Sequence, residues 1–242
     1  MNEQETIRVN FGKAHPVFPL NGVTLLPHAI AALYIFEPRY RQMIQDVLDT
    51  SGQIAMATYD ESTPSDDESM PPIRPVVCLG QVVQHEKHPD GTYHVFLQGV
   101  CRAEIVEEIA PDPEMVDGKL YRRAVLQPMR EADDDADLAG QRETLSDLLE
   151  SQRLSSLPAV QQVKKQLSSG FEMLPTPVLM DVVALSLLSV VDEKKLRHAL
   201  LEEPSSVKRA DLMIRELRRI DSTLRVAELQ FDPEAPKGIS WN

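Results

Sequence analysis

The chain has 242 residues, 42% of them hydrophobic and 26% charged, with two cysteines and a net charge of −13. That is enough apolar chain for one or two cored domains. Two cysteines exclude a disulfide framework and point to a reducing, cytoplasmic setting, while an acidic pI of ≈ 4.9 opposes binding to phosphate backbones.

No apolar run approaches the roughly 20 residues that span a bilayer, and the acidic, polar start Met1-Asn-Glu-Gln-Glu-Thr6 is no signal peptide. In chain order, Val17–Leu20 reads as a strand, Asn21-Gly22 as a turn and Leu25-Leu26-Pro27 as an apolar loop. A second strand runs up to Phe36, followed by an abrupt helix start. Pro38 suits the first helical position, where its missing N–H would have no partner in any case. Tyr40, Met43, Ile44, Val47 and Leu48 recur at three- to four-residue spacing and make one apolar face, which Gly52 ends.

Gln53–Tyr59, Val76–Gln84, Thr92–Leu97, Ala103–Val106 and Arg123–Gln127 are short and rich in β-branched residues. Asp90-Gly91 predicts a hairpin between two of them, because glycine tolerates positive φ. Gly99 predicts a bulge or tight bend, and Pro111, Asp112 and Pro113 break the run that follows. Many short strands around one inserted helix predict a small closed or half-closed barrel, mostly antiparallel, over residues 14–128.

The period then becomes helical. Helices are expected over Leu138–Arg153, over Pro158–Ser168 (closed by Gly170) and over Pro175–Val191. The last is apolar on nearly every side and is expected at the buried centre of a bundle. Asp192 can cap a short helix to Leu201, and Ser205 or Ser206 a final one. In that final helix Met213, Leu217, Ile220, Leu224 and Ala227 form a narrow packing stripe. Pro233 and Pro236 keep the tail, with the single Trp241, non-helical. The fold class is therefore α+β: a β-barrel domain over 1–130, then a helical bundle domain over 131–242 with a non-helical tail.

Charge is uneven. Residues 1–141 hold 11 Lys+Arg against 23 Asp+Glu, nearly the whole excess. Two segments concentrate it: Asp60, Glu61, Asp66, Asp67 and Glu68 in a Pro- and Ser-rich loop, and Glu131, Asp133, Asp134, Asp135 and Asp137. Such runs read as solvated faces, the alternative being a steering patch for basic partners.

Val17-Phe-Pro-Leu-Asn-Gly-Val-Thr-Leu-Leu-Pro-His28, running on to Phe36-Glu-Pro-Arg-Tyr-Arg41, resembles the opening of the Lon protease N-terminal (substrate-binding) domain. The likeness continues at Gly80-Gln-Val-Val83 and at Asp90-Gly-Thr-Tyr-His-Val-Phe-Leu-Gln-Gly-Val-Cys-Arg102. It is looser over the third C-terminal helix and residues 192–217. Two departures stand out: Ala32 where a proline is common, and His28 where glycine is frequent. The resemblance implies a PUA-like pseudo-barrel followed by a helical bundle. It also implies a stand-alone substrate-handling domain, since the sequence holds no G-x-x-x-x-G-K-S/T phosphate loop and no recognisable Ser/Lys peptidase segment.

Catalytic and metal chemistry find little footing. His85, His88 and His94 flank the expected hairpin and are the one metal-ligand candidate, against a plain polar hairpin tip. Cys78 and Cys101 read as small hydrophobes, and no strand–Ser–helix elbow occurs. No catalytic residue, metal or cofactor is assigned. The function implied is a non-enzymatic module of protein quality control. It would capture unfolded or exposed polypeptide through apolar grooves at the barrel–bundle junction, for a protease or chaperone supplied in trans. No nucleic acid and no membrane are expected. The alternatives are a small-molecule-binding or hydrolytic protein on a PUA-like fold, and an RNA-binding module. The apolar loop either tucks under the barrel or stands exposed for contact. On the second reading Leu25, Leu26, Pro27 and Ile35 are partly exposed and bind peptide, with Glu37, Arg39 and Arg41 as a polar rim; a structural ion pair at the helix start is the other reading of those charges.

Overall fold

The computed structural model describes residues 7–64, 70–114, 118–133, 136–166, 174–188 and 194–231. The sequence features at Gly170, Asp192, Pro233, Pro236 and Trp241, with Asp66, Asp67, Glu68, Asp134 and Asp135, lie outside these residues. Six strands come first: β1 (Ala14–Leu20), β2 (Ile30–Ile35), β3 (Gln53–Thr58), β4 (Val76–Lys87), β5 (Tyr93–Ile109) and β6 (Arg123–Pro128). Helix α1 (Pro38–Leu48) stands between β2 and β3. The sheet order is β2-β5-β4-β3-β1-β6, and a further β5–β6 pairing closes all but β2 into a ring. The β1–β3 pair is parallel and the others antiparallel. A parallel pair requires a crossover; here the crossover carries β2 and α1.

The stretches Thr92–Leu97 and Ala103–Val106, read as separate strands from the sequence, are two parts of the 17-residue β5. Its first half pairs with β2 and its second half with β6, while β4 follows it along both. A strand shared in this way must bend. Gly80 and Gly99 are register partners, and the pairing slips between Leu79 and Gly80. Inside the ring the side chains are small or branched: Val17, Ala55, Ala57, Val77, Leu79, Ala103, Ala124 and Leu126 pack together.

The two glycines also clear a slot in the wall. A Cβ on Gly80 would lie 2.6 Å from Leu97 Cγ and 3.0 Å from a Leu25 methyl, and one on Gly99 would collide with the Leu26 carbonyl. The Gly99 carbonyl accepts from the His28 amide at 2.9 Å, and the Gly99 amide donates to the Ala29 carbonyl at 2.8 Å. These bonds hold the loop across the slot. His28 pays for the turn with φ 63°, the left-handed region, as no other non-glycine residue described does; the cost is of order 1–2 kcal/mol. The departure from glycine at this position thus falls where glycine has a conformational reason to be.

The helices are α2 (Ala139–Glu150), α3 (Gln152–Ser156), α4 (Pro158–Gln166), α5 (Thr176–Leu188), α6 (Lys194–Glu202) and α7 (Ser206–Phe231). No strand occurs among the described residues beyond 140. The helix expected over Leu138–Arg153 breaks at Ser151, which leaves helical geometry and accepts the Leu154 amide to cap α3. Helix α5 buries Leu179, Met180, Val183 and Ala184, while Val178 and Val182 are half-buried. Over residues 176–184 burial is therefore stronger on one face, and the side chains of Leu185, Leu187 and Leu188, which the expectation of a bundle centre also rested on, lie outside the described set. Helix α7 buries Met213, Leu217 and Ile220 from its stripe.

The described residues divide into two units, one drawn from Met1–Ala132 with Val191–Pro204, the other from Asp133–Val190 with Ser205–Asn242. This differs from a single boundary at 130, because α6 returns to the barrel unit. There His198 is buried, Arg74 pairs with Glu202 at 3.5 Å, and Arg102 donates to the Glu203 carbonyl at 3.0 Å. Arg102 also pairs with Glu131.

The acidic run at 131–137 is therefore put to structural use. In the helical unit Asp133 accepts from the Ser205 and Ser206 hydroxyls and from the Ser206 and Val207 amides, capping α7. Asp137 accepts from the Ala139 amide at the start of α2. The Ser205 hydroxyl, seconded by the Ser206 and Val207 donors, holds the Asp133 carboxyl far below the usual carboxylate range. A depressed folded-state pKa contributes stability that is complete above the unfolded value of about 3.9 and is lost as pH falls through the folded one. Asp133→Asn is expected to lower the melting temperature at neutral pH and to flatten the acid limb below pH ~4, read by thermal unfolding against pH.

The glycine slot has a sharper test. Gly99→Ala is expected to destabilise by about 2 kcal/mol or more, as overpacking against backbone does. Gly140→Ala in α2, where an added Cβ meets nothing within 4 Å, should stabilise by about 0.5 kcal/mol. Urea unfolding of both variants checks the contrast.

Candidate functional site

The seven residues singled out from the sequence do not form one surface. Leu25 (1% exposed), Leu26 (0%) and Ile35 (1%) are core, and Pro27 is buried with them. The loop is therefore tucked in and not partly exposed, as its exposed reading would require, because the Gly80–Gly99 slot receives it. Glu37, Arg39 and Arg41 cluster instead at the start of α1. Arg39 pairs with Glu37 at 2.8 Å, and its guanidinium lies 4.5 Å from the Tyr40 ring centroid. Tyr40 in turn packs edge-on against Phe18. The Glu37–Arg39 pair is exposed, and such pairs contribute about 0–1 kcal/mol. Arg41 is half-buried and reaches the hairpin tip at Gly91.

The apolar surface lies one residue out of step with the one expected. Strand β2 alternates: Leu33 and Ile35 point inward, whereas Ile30 (52% exposed), Ala32 and Tyr34 (52%) point outward, and Phe36 (60%) continues the outer row. On β5 the outward residues are His94 and Phe96, register partners of Tyr34 and Ala32. The Tyr34 ring lies 5.0 Å from the His94 ring and 6.0 Å from Phe36. A groove of about 460 Å³ runs along this face, bordered by Ala32, Tyr34, Phe96, Gln84 and Glu86. Among the described residues β2 pairs with β5 alone, and no strand lies along its other edge. Natural sheets usually protect such an edge with lysine, proline, a bulge or a short strand. The sequence Ile30-Ala-Ala-Leu-Tyr-Ile35 has no charge and no proline.

At the hairpin, a ring nitrogen of His88 lies 3.1 Å from one of His94. Among the described residues no three His, Cys, Asp or Glu side chains converge as metal ligands do. Cys78 is buried and Cys101 half-buried, neither in a disulfide, with burial pushing the Cys101 thiol up.

Residues 14–219 match the sequence profile of the ATP-dependent protease La (LON) substrate-binding domain. The chain belongs to this family. Lon proteases of Azorhizobium caulinodans and Rhizobium meliloti are each 34% identical to it, over 92 and 91 residues, which is 38% of this chain and 11% of either relative. The chain thus spans a small part of the length of these Lon proteases. The N-terminal domain of a Mycobacterium avium complex Lon protease superposes with a TM-score of 0.57 at 15% identity, covering 85% of this chain and 98% of that one. A Lon N-terminal domain protein from Xanthomonas campestris gives 0.53 at 17%, covering 84% and 98%. These structures share the fold: a mixed six-stranded sheet with its helix, then a helical region. Among the described residues no helix is long and apolar enough to cross a membrane.

Tyr34, Phe36, Ile30 and Phe96 were missed as candidates because β2 is apolar on both faces. Alternation alone does not say which face is buried. The aromatic residues at 34 and 36, spaced by two, were the available signal.

If the loop is core, Leu25→Ala and Leu26→Ala should each cost about 2–5 kcal/mol, as other large-to-small core changes do. Chemical denaturation measures this; a loss near zero would restore the exposed-loop reading.

Proposed function

We propose that this Lon-type domain is a non-catalytic polypeptide-binding module. It takes extended, apolar segments on the outer face and free edge of β2. The observation that supports this most is the combination of an unprotected edge strand with exposed Ile30, Tyr34 and Phe36 beside it. An extended client added to the edge satisfies backbone hydrogen bonds without regard to sequence, and its alternate side chains lie on the aromatic row. Burial of apolar area there contributes about 25 cal/mol per Å². Such recognition needs only shape, apolar surface and a free backbone edge. In this reading the clients are unfolded or partly unfolded chains in the cytoplasm, delivered to a protease or chaperone that acts in trans.

The double variant Tyr34→Ser, Phe36→Ser tests it. Each side chain, fully buried by a client, is worth about 1.5–3 kcal/mol, so affinity for a permanently unfolded model protein should fall at least about tenfold. The melting temperature should hardly move, since exposed positions contribute little to the core. Unchanged affinity, measured by fluorescence anisotropy on the folded variant, would remove this face from the site.

A further inference from the structure

A second cavity in the barrel unit has the opposite character. It measures about 530 Å³ and lies between the N-terminal segment, the end of α1 and the strand start at Arg123. Its walls carry four cations, Arg8, Lys13, Lys119 and Arg123, against one carboxylate, Asp46. That carboxylate is already engaged: it accepts from Lys119 Nζ at 2.9 Å and from the Tyr121 hydroxyl at 2.7 Å. His15, at the edge of the cavity, is buried, its ring bonds the Asn10 carbonyl, and burial lowers its pKa, so it adds no negative charge and little positive. Arg8, Lys13 and Arg123 have no carboxylate within ion-pair distance among the described residues, and Arg123 Nε is buried without an acceptor. In a chain of net charge −13, a pocket with three cations left over is a local reversal of sign.

We propose that this pocket binds a small phosphorylated molecule, with Arg123 as the inner contact and Arg8 and Lys13 closing over the phosphate from the rim. A phosphate monoester carries about −1.5 to −2 charge at pH 7. It presents several acceptor oxygens to guanidinium forks, which match phosphate geometry. The volume falls within the ~300–1,000 Å³ of small-molecule sites. The net negative charge of the chain disfavours long polyanions, whereas the excess of cations lining the pocket offers a place for a small anion. This site is separate from the apolar face of β2 and does not depend on the polypeptide-binding reading.

The test uses the whole chain at fixed ionic strength, with ribose 5-phosphate, ribose, pyrophosphate and a single-stranded oligonucleotide as probes in isothermal titration. Ribose 5-phosphate and pyrophosphate are expected to bind with a Kd of about 1 mM or tighter, and ribose not at all. Affinity should fall about tenfold in Arg123→Gln, as loss of a charged hydrogen bond implies, and in the double variant Arg8→Gln, Lys13→Gln. It should be unchanged in Lys87→Gln on the far hairpin. Arg8 and Lys13 are exposed, so the rim variant decides the matter even if Arg123→Gln perturbs folding. Absence of phosphate binding at that level, equal affinity in the rim variant, or tighter binding of the oligonucleotide than of the ester would each overturn the proposal.

Discussion

Two glycines that face each other across β4 and β5 set the terms for the barrel. Gly80 and Gly99 leave a gap where side chains would stand, and the loop bearing Leu25 and Leu26 fills it from outside. The loop is then pinned by paired backbone bonds to Gly99. The left-handed turn at His28 follows, as does the direction in which the chain enters β2. The inward and outward sets of β2 side chains are fixed by the same event, because a shift of one residue would exchange its two faces.

Strand β5 carries the consequence along the sheet. It bends at the glycine, gives its second half to β6 and so closes the ring, and gives its first half to β2. The ring has no free edge, whereas β2 hangs on it as an open one. An edge left unpaired with an aromatic row beside it is unusual for a protein that must stay apart from its neighbours. A domain whose task is to hold other chains gains from that same feature. The strong negative charge elsewhere is consistent with both needs, since it favours solubility without touching the apolar row.

Much of the architecture was legible in the residues. Pro38 and the 3–4 spacing after it gave α1, Asp90-Gly91 gave the hairpin, and the change of period near 138 gave the helices. The family likeness at 17–41 was legible for the same reason: it resides in turn and cap residues with backbone duties. The site was less so. Leu25 and Leu26 are apolar loop residues whether buried or exposed, and only the partner surface decides; that partner is a pair of glycines some 55 and 73 residues away. Both faces of β2 are apolar, so its pattern does not distinguish the inward Ile35 from the outward Tyr34. The cationic pocket was invisible for another reason: Arg8, Lys13, Lys119 and Arg123 are scattered in sequence and gathered only when β1 pairs with β6. The acidic run at 131–137 looked like a solvated tract, and its caps to α2 and α7 became evident only with the helix ends in place.

The 24–29 loop packs into the core, and β2 is the proposed binding edge. Amide hydrogen exchange of the chain, alone and with a saturating unfolded polypeptide, tests both most directly. The amides of His28 and Ala29, bonded to the Gly99 and Leu26 carbonyls, should be protected equally in both states, while amides of 30–35 gain protection on binding. Rapid exchange of the His28 and Ala29 amides in the free chain, with protection appearing there and not along β2 when the polypeptide binds, would contradict this reading.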